Sequence, residues 1–391
     1  LNMKIRRWGT LLIMLAGLLF CLSACQSKTA SIPVQSAYSV NKDSHVNLTL
    51  IAVGDNLIHG PIYRQANERS NNSGFDFRPA YQQIASYLAE ADLALMNQET
   101  PLGGTELGLS SYPQFNSPQE LGEQMIELGF NMFSHANNHV LDAGQRGFNN
   151  TIAFWRRQSA EKPVIMAGIA ADREDDQLQI LQVKDLKIAL LAYTYGTNGL
   201  RLPKSSSGII KYLDDDLICQ ELDKAIAEAN IVIVSVHWGQ EYQANANNEQ
   251  KRLAQLMADN GADIIIGSHP HVLQGVEMLS TPDGKQVPVF YSLGNFISAQ
   301  NRPDTMLGGM AKVQMVYDKA TGKLSLTELG IIPLVTDYTA SYKNITIYPL
   351  NSYTEAQANR HGVRASNSSF SLAYLKKLFN QRVPEEYQIW D

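Results

Sequence analysis

Seven short apolar runs set the frame for this chain. Leu48–Val53, Leu93–Met96, Phe130–Phe133, Leu186–Tyr193, Ile231–Val236, Asp263–Ile266 and Val287–Ser292 are each four to eight residues long. Continuous apolar runs of that length, stopped by Gly, Asn, Asp or His, read as buried strands. Segments with helical spacing separate them: Tyr81–Glu90, Pro118–Leu128, Gly147–Gln158, Leu217–Ala229 and Glu249–Asn260. Gly129 stands where the second of these helices should stop. Strand and helix in alternation predict an α/β sandwich. From Met310 the texture changes to strand-like segments around a turn at 320–323, which predicts antiparallel edge strands. The expected body runs over residues 46–340, and residues 341–391 read as a peripheral, mostly helical tail.

The ends of these runs carry the chemistry. In open α/β sheets ligands bind beyond the carboxyl ends of the strands. The exits here deliver Asp55, Glu99, Asn138 with His139, His237, His269 with His271, and Asn295. An Asp or His after one strand is usually a cap or a solvated turn residue. So many such exits with coordinating chemistry point to an active or metal site. Imidazole, carboxylate and amide oxygen without thiolate suit Mn²⁺, Fe or Zn²⁺. Two ions in such a site can clamp a phosphoryl group. Asn295 is suited to orienting ligands from behind.

Thiolate sites are excluded by count. The chain has three cysteines, and two of them, Cys21 and Cys25, lie in an N-terminal segment. There Met3-Lys4-Ile5-Arg6-Arg7 precedes an apolar run from Leu11 to Leu22, which is short for a spanning helix. The run ends in Leu22-Ser23-Ala24-Cys25, the pattern of a bacterial lipoprotein signal. Residues 1–24 are expected to be removed and Cys25 to carry lipid in the cell membrane. Residues 25–45, polar and Ser-rich, read as a tether to an extracytoplasmic body. Cys219 is then the one remaining thiol. The net charge of −6 argues against a nucleic-acid partner, which needs a basic face.

Six motifs in order carry a resemblance. They are Gly54-Asp55, Asn97-x-Glu99, Ala136-Asn137-Asn138-His139, His237-Trp238-Gly239-x-Glu241-Tyr242, Gly267-Ser268-His269-Pro270-His271-Val272 and Ser292-Leu293-Gly294-Asn295-Phe296. Together they resemble the motif series of the CapA capsule-synthesis family, whose members take part in making or exporting poly-γ-glutamate. That family is in turn similar to the calcineurin-like metallophosphoesterases. The resemblance implies a four-layer α/β/β/α sandwich with mixed sheets and a centre for one or two divalent ions. It implies Asp55 and His271 as ligands of one ion, Asn138, His237 and His269 of the other, and Glu99 as the bridging carboxylate. It implies His139 as proton donor to a leaving group.

The first motif departs from the superfamily pattern, because Leu57 stands where a histidine ligand is expected. His59 lies two residues further on. One-ion and two-ion occupancy are both open on this reading. Glu241, Asn295 and Trp238 are expected around the ligands or against substrate, with Trp238 and Tyr242 as site walls or core. His135 reads as a structural neighbour and Asp214-Asp215-Asp216 as a helix start. The expected function is capsule or poly-γ-glutamate synthesis or export with a hydrolase-type centre, alongside membrane synthase or export subunits. The alternative is a non-catalytic scaffold that binds an envelope polymer.

Overall fold

The computed structural model describes residues 44–390. The signal-like segment, Cys25 and the tether up to residue 43 lie outside the described residues. No helix among the described residues is long and apolar enough to cross a membrane.

Two mixed sheets form the body. In the first, β1 (His45–Asn56), β2 (Leu93–Asn97), β3 (Met132–Ser134) and β4 (Ile165–Ala167) run parallel. A short ribbon, β5 (Ile169–Ala170) with β8 (Ile209–Ile210), stands apart from both sheets. In the second, β7 (Leu186–Thr194), β9 (Ile231–His237), β10 (Ile264–Ser268) and β12 (Gln286–Phe290) run parallel. The edge strands β6 (Gln179–Val183) and β11 (Val276–Ser280) pair antiparallel to it. β13 (Asn295–Ile297) returns to the first sheet beside β1. The long hairpin of β14 (Leu307–Asp318) and β15 (Lys323–Thr339) then adds antiparallel to β1, followed by β16 (Lys343–Pro349) at the edge. The hairpin is where the change of texture after Met310 predicts it.

Alternation of side chains explains the layering. Along β7, Ile188, Leu190 and Ala192 enter the core between the sheets, while Ala189, Leu191 and Tyr193 enter a second core. A strand buried on both faces must lie between two layers. On its outer face sit the helices Asp215–Glu228 and Asn248–Asp259, through Ile218, Leu222, Leu253 and Met257. The helices Glu120–Leu128 and Gly144–Glu161 pack Leu121, Met125, Phe148 and Trp155 into the larger core with the first sheet. The order is helix, sheet, sheet, helix, the four-layer sandwich expected from the resemblance.

The local signals hold in their particulars. Gly129 closes Glu120–Leu128 with φ +121°, and Asp214 caps Leu217 N at 2.9 Å. Two differences stand out. Tyr81–Glu90, expected as one helix, is broken into Arg78–Tyr81, a 3₁₀ turn Gln82–Ile84 and Ala85–Ala89. The segment after residue 340, expected as a peripheral and mostly helical tail, contributes β16 to the first sheet as well as the helices Glu355–Arg360 and Leu372–Arg382. Its alternating Ile345 and Ile347 are buried, which is why it pairs with β15 instead of lying outside.

Gly54 fixes the approach of β1 to the second half of the chain. Asp55 N donates to Gly294 O at 2.9 Å, and a Cβ on residue 54 would overlap that carbonyl. Both contact atoms are backbone, so neither can swing away. Gly54→Ala is expected to destabilise the protein by about 3 kcal/mol or more, measured as a lower urea midpoint at unchanged m-value.

Candidate metal centre

Strands of both sheets end at one place. β1 brings Asp55, and the two residues after β2 lead to Glu99. The loop after β3 brings Asn138 and His139; β9 ends on His237; the turn after β10 brings His269 and His271. All seven side chains are buried, with Asp55 and Glu99 at 0% exposure.

Their potential ligand atoms fall into two groups that share one carboxylate. Glu99, His237 and His269 offer atoms within 4.8 Å of one another, and so do Asp55, Glu99 and His271. Asn138 Oδ1 joins the first group, 2.9 Å from His237 Nε2. Glu99 Oε1 lies 3.7 Å from His237 Nε2 and 3.9 Å from both His139 Nε2 and His271 Nε2. The two histidines of Ser268-His269-Pro270-His271 therefore serve different groups. Both hold left-handed backbone conformations, φ +96° at His269 and +59° at His271. Non-glycine residues occupy that region only where the surroundings enforce it, commonly at functional sites.

A cation fits this arrangement on physical grounds. Neither oxygen of Glu99 has a hydrogen-bond partner, nor has His269 Nδ1, although all three atoms are buried. A buried charge without a partner costs several kcal/mol, so the site needs protons or a metal ion. Burial, and then the neighbouring Asp55 charge, push the Glu99 carboxyl well above its ordinary range. Burial holds His269 down to about 3 and His237 well below its usual value, with the neighbouring imidazoles adding to the effect. Both imidazoles are therefore neutral and able to ligate. The donor set, nitrogen and oxygen without sulfur, is that of a divalent first-row ion.

Surrounding groups orient the ligands. Asn97 Nδ2 donates to Asp55 Oδ1 at 2.8 Å and lies 3.3 Å from His237 Nδ1, which also meets Ser268 Oγ at 3.0 Å. His271 Nδ1 lies 3.0 Å from Asp55 Oδ2. His139 Nδ1 is 2.6 Å from Asp142 Oδ2, and that oxygen also accepts from Phe115 N at 2.8 Å. Asn97 and Ser268 stand within the quoted motifs without a role, and Asp142 stands outside them. Asp142 stands three residues after His139, a spacing that could have flagged it.

The residues expected around the ligands take different places. Trp238 is core: it is 1% exposed, its indole N–H donates to Tyr291 O at 2.9 Å, and it packs in the second core. Asn295 faces away with its donors, since its amide donates to Ser298 Oγ, Gln300 Oε1 and Thr305 O; its Oδ1 is buried and unpartnered. Glu241 is exposed on a cleft wall beside Tyr242. His59 belongs to neither ligand group, and its Nδ1 faces Ala299 N at 3.2 Å. Leu57 is buried, so the Asp55 group keeps three donors. His135 accepts from Trp155 Nε1 at 2.7 Å within the core.

The buried imidazoles make acid sensitivity predictable. His135, His237 and His269 all have folded pKa values far below the ordinary 6.5, largely from burial. A depressed value means stability that is present above pH ~6.5 and lost as the pH falls toward the folded value. Glu99, with its raised carboxyl, opposes one of the three. His59 and His361 are lowered as well and add in the same direction, so the metal-free protein is expected to lose ~3 kcal/mol or more per pH unit between pH ~6 and ~5. Urea titrations at stepped pH check this; a flat profile would contradict the buried neutral imidazoles.

The layers and the strand-end donor set define a four-layer α/β protein with a candidate metal centre. More narrowly, the chain belongs to the family described as bacterial capsule synthesis protein PGA_cap, whose model matches residues 49–300. It is 31% identical over 206 residues to the PGA biosynthesis protein CapA of Bacillus subtilis (strain 168), covering 52% of each chain. It thus spans about half the length of that relative. It is 29% identical over 296 residues to the capsule biosynthesis protein CapA of Bacillus anthracis, covering 73% of this chain and 67% of that one. A solved phosphatase structure from Mycoplasma pneumoniae aligns with 74% of this chain and 94% of its own at 14% identity, with a TM-score of 0.42.

Proposed function

We propose that this capsule-synthesis protein holds one or two divalent ions and acts on a phosphoester or related bond during synthesis or export of an envelope polymer such as poly-γ-glutamate. Asp55, Glu99 and His271 would hold one ion; Glu99, Asn138, His237 and His269 would hold the other. One observation carries the reading: Glu99 is buried, lacks a hydrogen-bond partner and is common to both groups. Mn²⁺, Fe or Zn²⁺ suits these donors.

A bound divalent ion supplies Lewis acidity and eases ionisation of water at neutral pH. The chain's own groups do the rest. Asp142 binds His139 through Nδ1 and leaves Nε2 facing Glu99. A proton on that Nε2 is placed for delivery to a leaving oxygen at the centre. Asn97 and Ser268 fix the ring of His237. The Leu22-Ser23-Ala24-Cys25 box supports a lipid anchor on Cys25, hence an extracytoplasmic place in the cell membrane beside synthase or export subunits.

A second reading, a polymer-binding scaffold without catalysis, is favoured by Leu57, which leaves the Asp55 group one ligand short. Elemental analysis of protein lacking residues 1–25, reconstituted with Mn²⁺ or Zn²⁺, separates the readings. About two equivalents are expected, the weaker lost in Asp55→Ala and the tighter in His269→Ala. One equivalent leaves a single-ion centre, and turnover of a phosphoester then decides between it and the scaffold; none after reconstitution overturns the metal centre.

A further inference from the structure

Three imidazoles line the cleft of about 330 Å³ beside the centre: His59, His139 and His271. Only His59 has no part in a ligand group or in proton delivery. It is the N-cap residue of the helix Gly60–Arg69, yet its side chain makes no capping bond. Ser111 Oγ takes the Gly60 N–H instead, at 2.9 Å. The ring turns the other way, to the loop after β13. Phe115 stands edge-on to it at 5.2 Å and edge-on to His139 at 4.8 Å, so one phenyl ring packs both imidazoles.

The contacts of Nδ1 decide where the proton sits. Nδ1 lies 3.1 Å from Leu57 O and 3.2 Å from Ala299 N. It cannot serve both, because it donates to the carbonyl when protonated and accepts from the amide when bare. Leu57 O already accepts from His59 N at 3.0 Å. Ala299 is 8% exposed, and its N–H has no other acceptor among the described residues. A buried amide without an acceptor costs more than a carbonyl with one lone pair free. Nδ1 is therefore the acceptor, and Nε2 carries the proton. Burial holds the ring down to about 4, so it is neutral at neutral pH. Among the described residues Nε2 meets no protein group, and unlike Nδ1 of His269 it is not sealed from solvent.

We infer that His59 is a substrate-binding residue, whose Nε2–H is a fixed, uncharged donor to an oxygen of the reacting group beside His139. That the oxygen belongs to a phosphoryl group rests on the proposed function; the position of the proton does not. The same tautomer keeps His59 off the metal. Nδ1 is spent on Ala299 and Nε2 is protonated, so this ring does not replace the ligand missing at Leu57. The cleft lining holds no lysine or arginine. The ions then supply the charge that attracts an anionic group, and the Nε2–H supplies direction.

Two measurements test this. Ring-nitrogen NMR of the chelated protein, with the His59 signals assigned by their loss in His59→Asn, reads the tautomer; a protonated Nε2 and a bare Nδ1 are expected. Calorimetric titration of the Mn²⁺-loaded protein with inorganic phosphate reads the contact. Asn puts an acceptor where Nδ1 stands and nothing where Nε2 stands. His59→Asn should keep the metal content and urea midpoint of the parent and bind phosphate about 10-fold more weakly. Gln reaches the Nε2 position with an amide N–H but leaves Ala299 N without its acceptor. His59→Gln should do the reverse, holding phosphate within about 3-fold of the parent and unfolding at lower urea. A protonated Nδ1, loss of metal in His59→Asn, or parent-like phosphate affinity in His59→Asn would each overturn the inference and leave the metal centre standing. Metal uptake without phosphate binding by the parent would sink the phosphoester reading and this inference together. A parent that takes up no metal would sink the centre alone, because the nitrogen signals are read without metal and still uphold or overturn the tautomer.

Discussion

Replacing Glu99 by Gln is expected to strip the whole centre of metal in one step. Asp55→Ala and His269→Ala each touch one group, but Glu99 belongs to both. Loss of an orienting neighbour already costs metal sites 10- to 100-fold in affinity, so loss of a shared ligand should exceed ~100-fold for each ion. The same substitution should stabilise the metal-free protein. Its carboxylate is buried without a partner, next to Asp55. Removing an uncompensated buried charge is worth about 1–3 kcal/mol. The sign with pH follows from the raised carboxyl. A raised folded value gives stability that is present below the unfolded value, near 4.3, and lost as pH rises through the folded one. The gain from Glu99→Gln should therefore be larger at pH 8 than at pH 5. Thermal melts of chelated parent and variant at both pH values, with metal analysis alongside, measure both effects. A variant that keeps one ion, or that is less stable than chelated parent at pH 8, would contradict the shared-ligand arrangement.

The second large effect concerns His139. It faces the centre through Nε2 but belongs to neither ligand group. His139→Ala is expected to leave metal content intact and to lower turnover of a phosphoester substrate by 10²–10⁴-fold. Asp142→Asn should lower turnover less, because it loosens the ring without removing the proton carrier. It should also shift the pH profile of kcat, which a change of fold alone would not do. Unchanged turnover in His139→Ala, or no turnover in the metal-loaded parent, would leave the scaffold reading in possession.

Much of this site was legible because the sheet dictates it. Strand runs such as Ile231–Val236 are visible from length and composition, and the residue after each is bound to lie at the same edge. That logic gathers Asp55, Glu99, His237 and His269 from strand order alone. What it cannot give is side-chain direction beyond the strand end. Asn295 leaves a strand exit like the others, yet its amide turns to the loop at 298–305. Trp238 follows His237 directly, so alternation sends it to the opposite side, into the second core. The orienting groups were missed for a related reason. Asn97 and Ser268 precede named ligands by only two and one residues; Ser268 is the register partner of His237 on the neighbouring strand, and Asn97 reaches it from the other sheet. β16 was missed because exposed Lys343 and Asn344 and half-buried Thr346 and Tyr348 dilute an alternation carried by two isoleucines.

The length of β1 has a mechanical consequence. It runs unbroken from His45 to Asn56 and delivers Asp55 at its far end. At 3.3 Å per residue that is a strut of about 36 Å. Whatever holds the chain ahead of His45 grips the pole opposite the cleft. A load applied there passes along β1 through the pairs that His45–Val53 make with β14, so the first sheet takes it before it reaches Asp55.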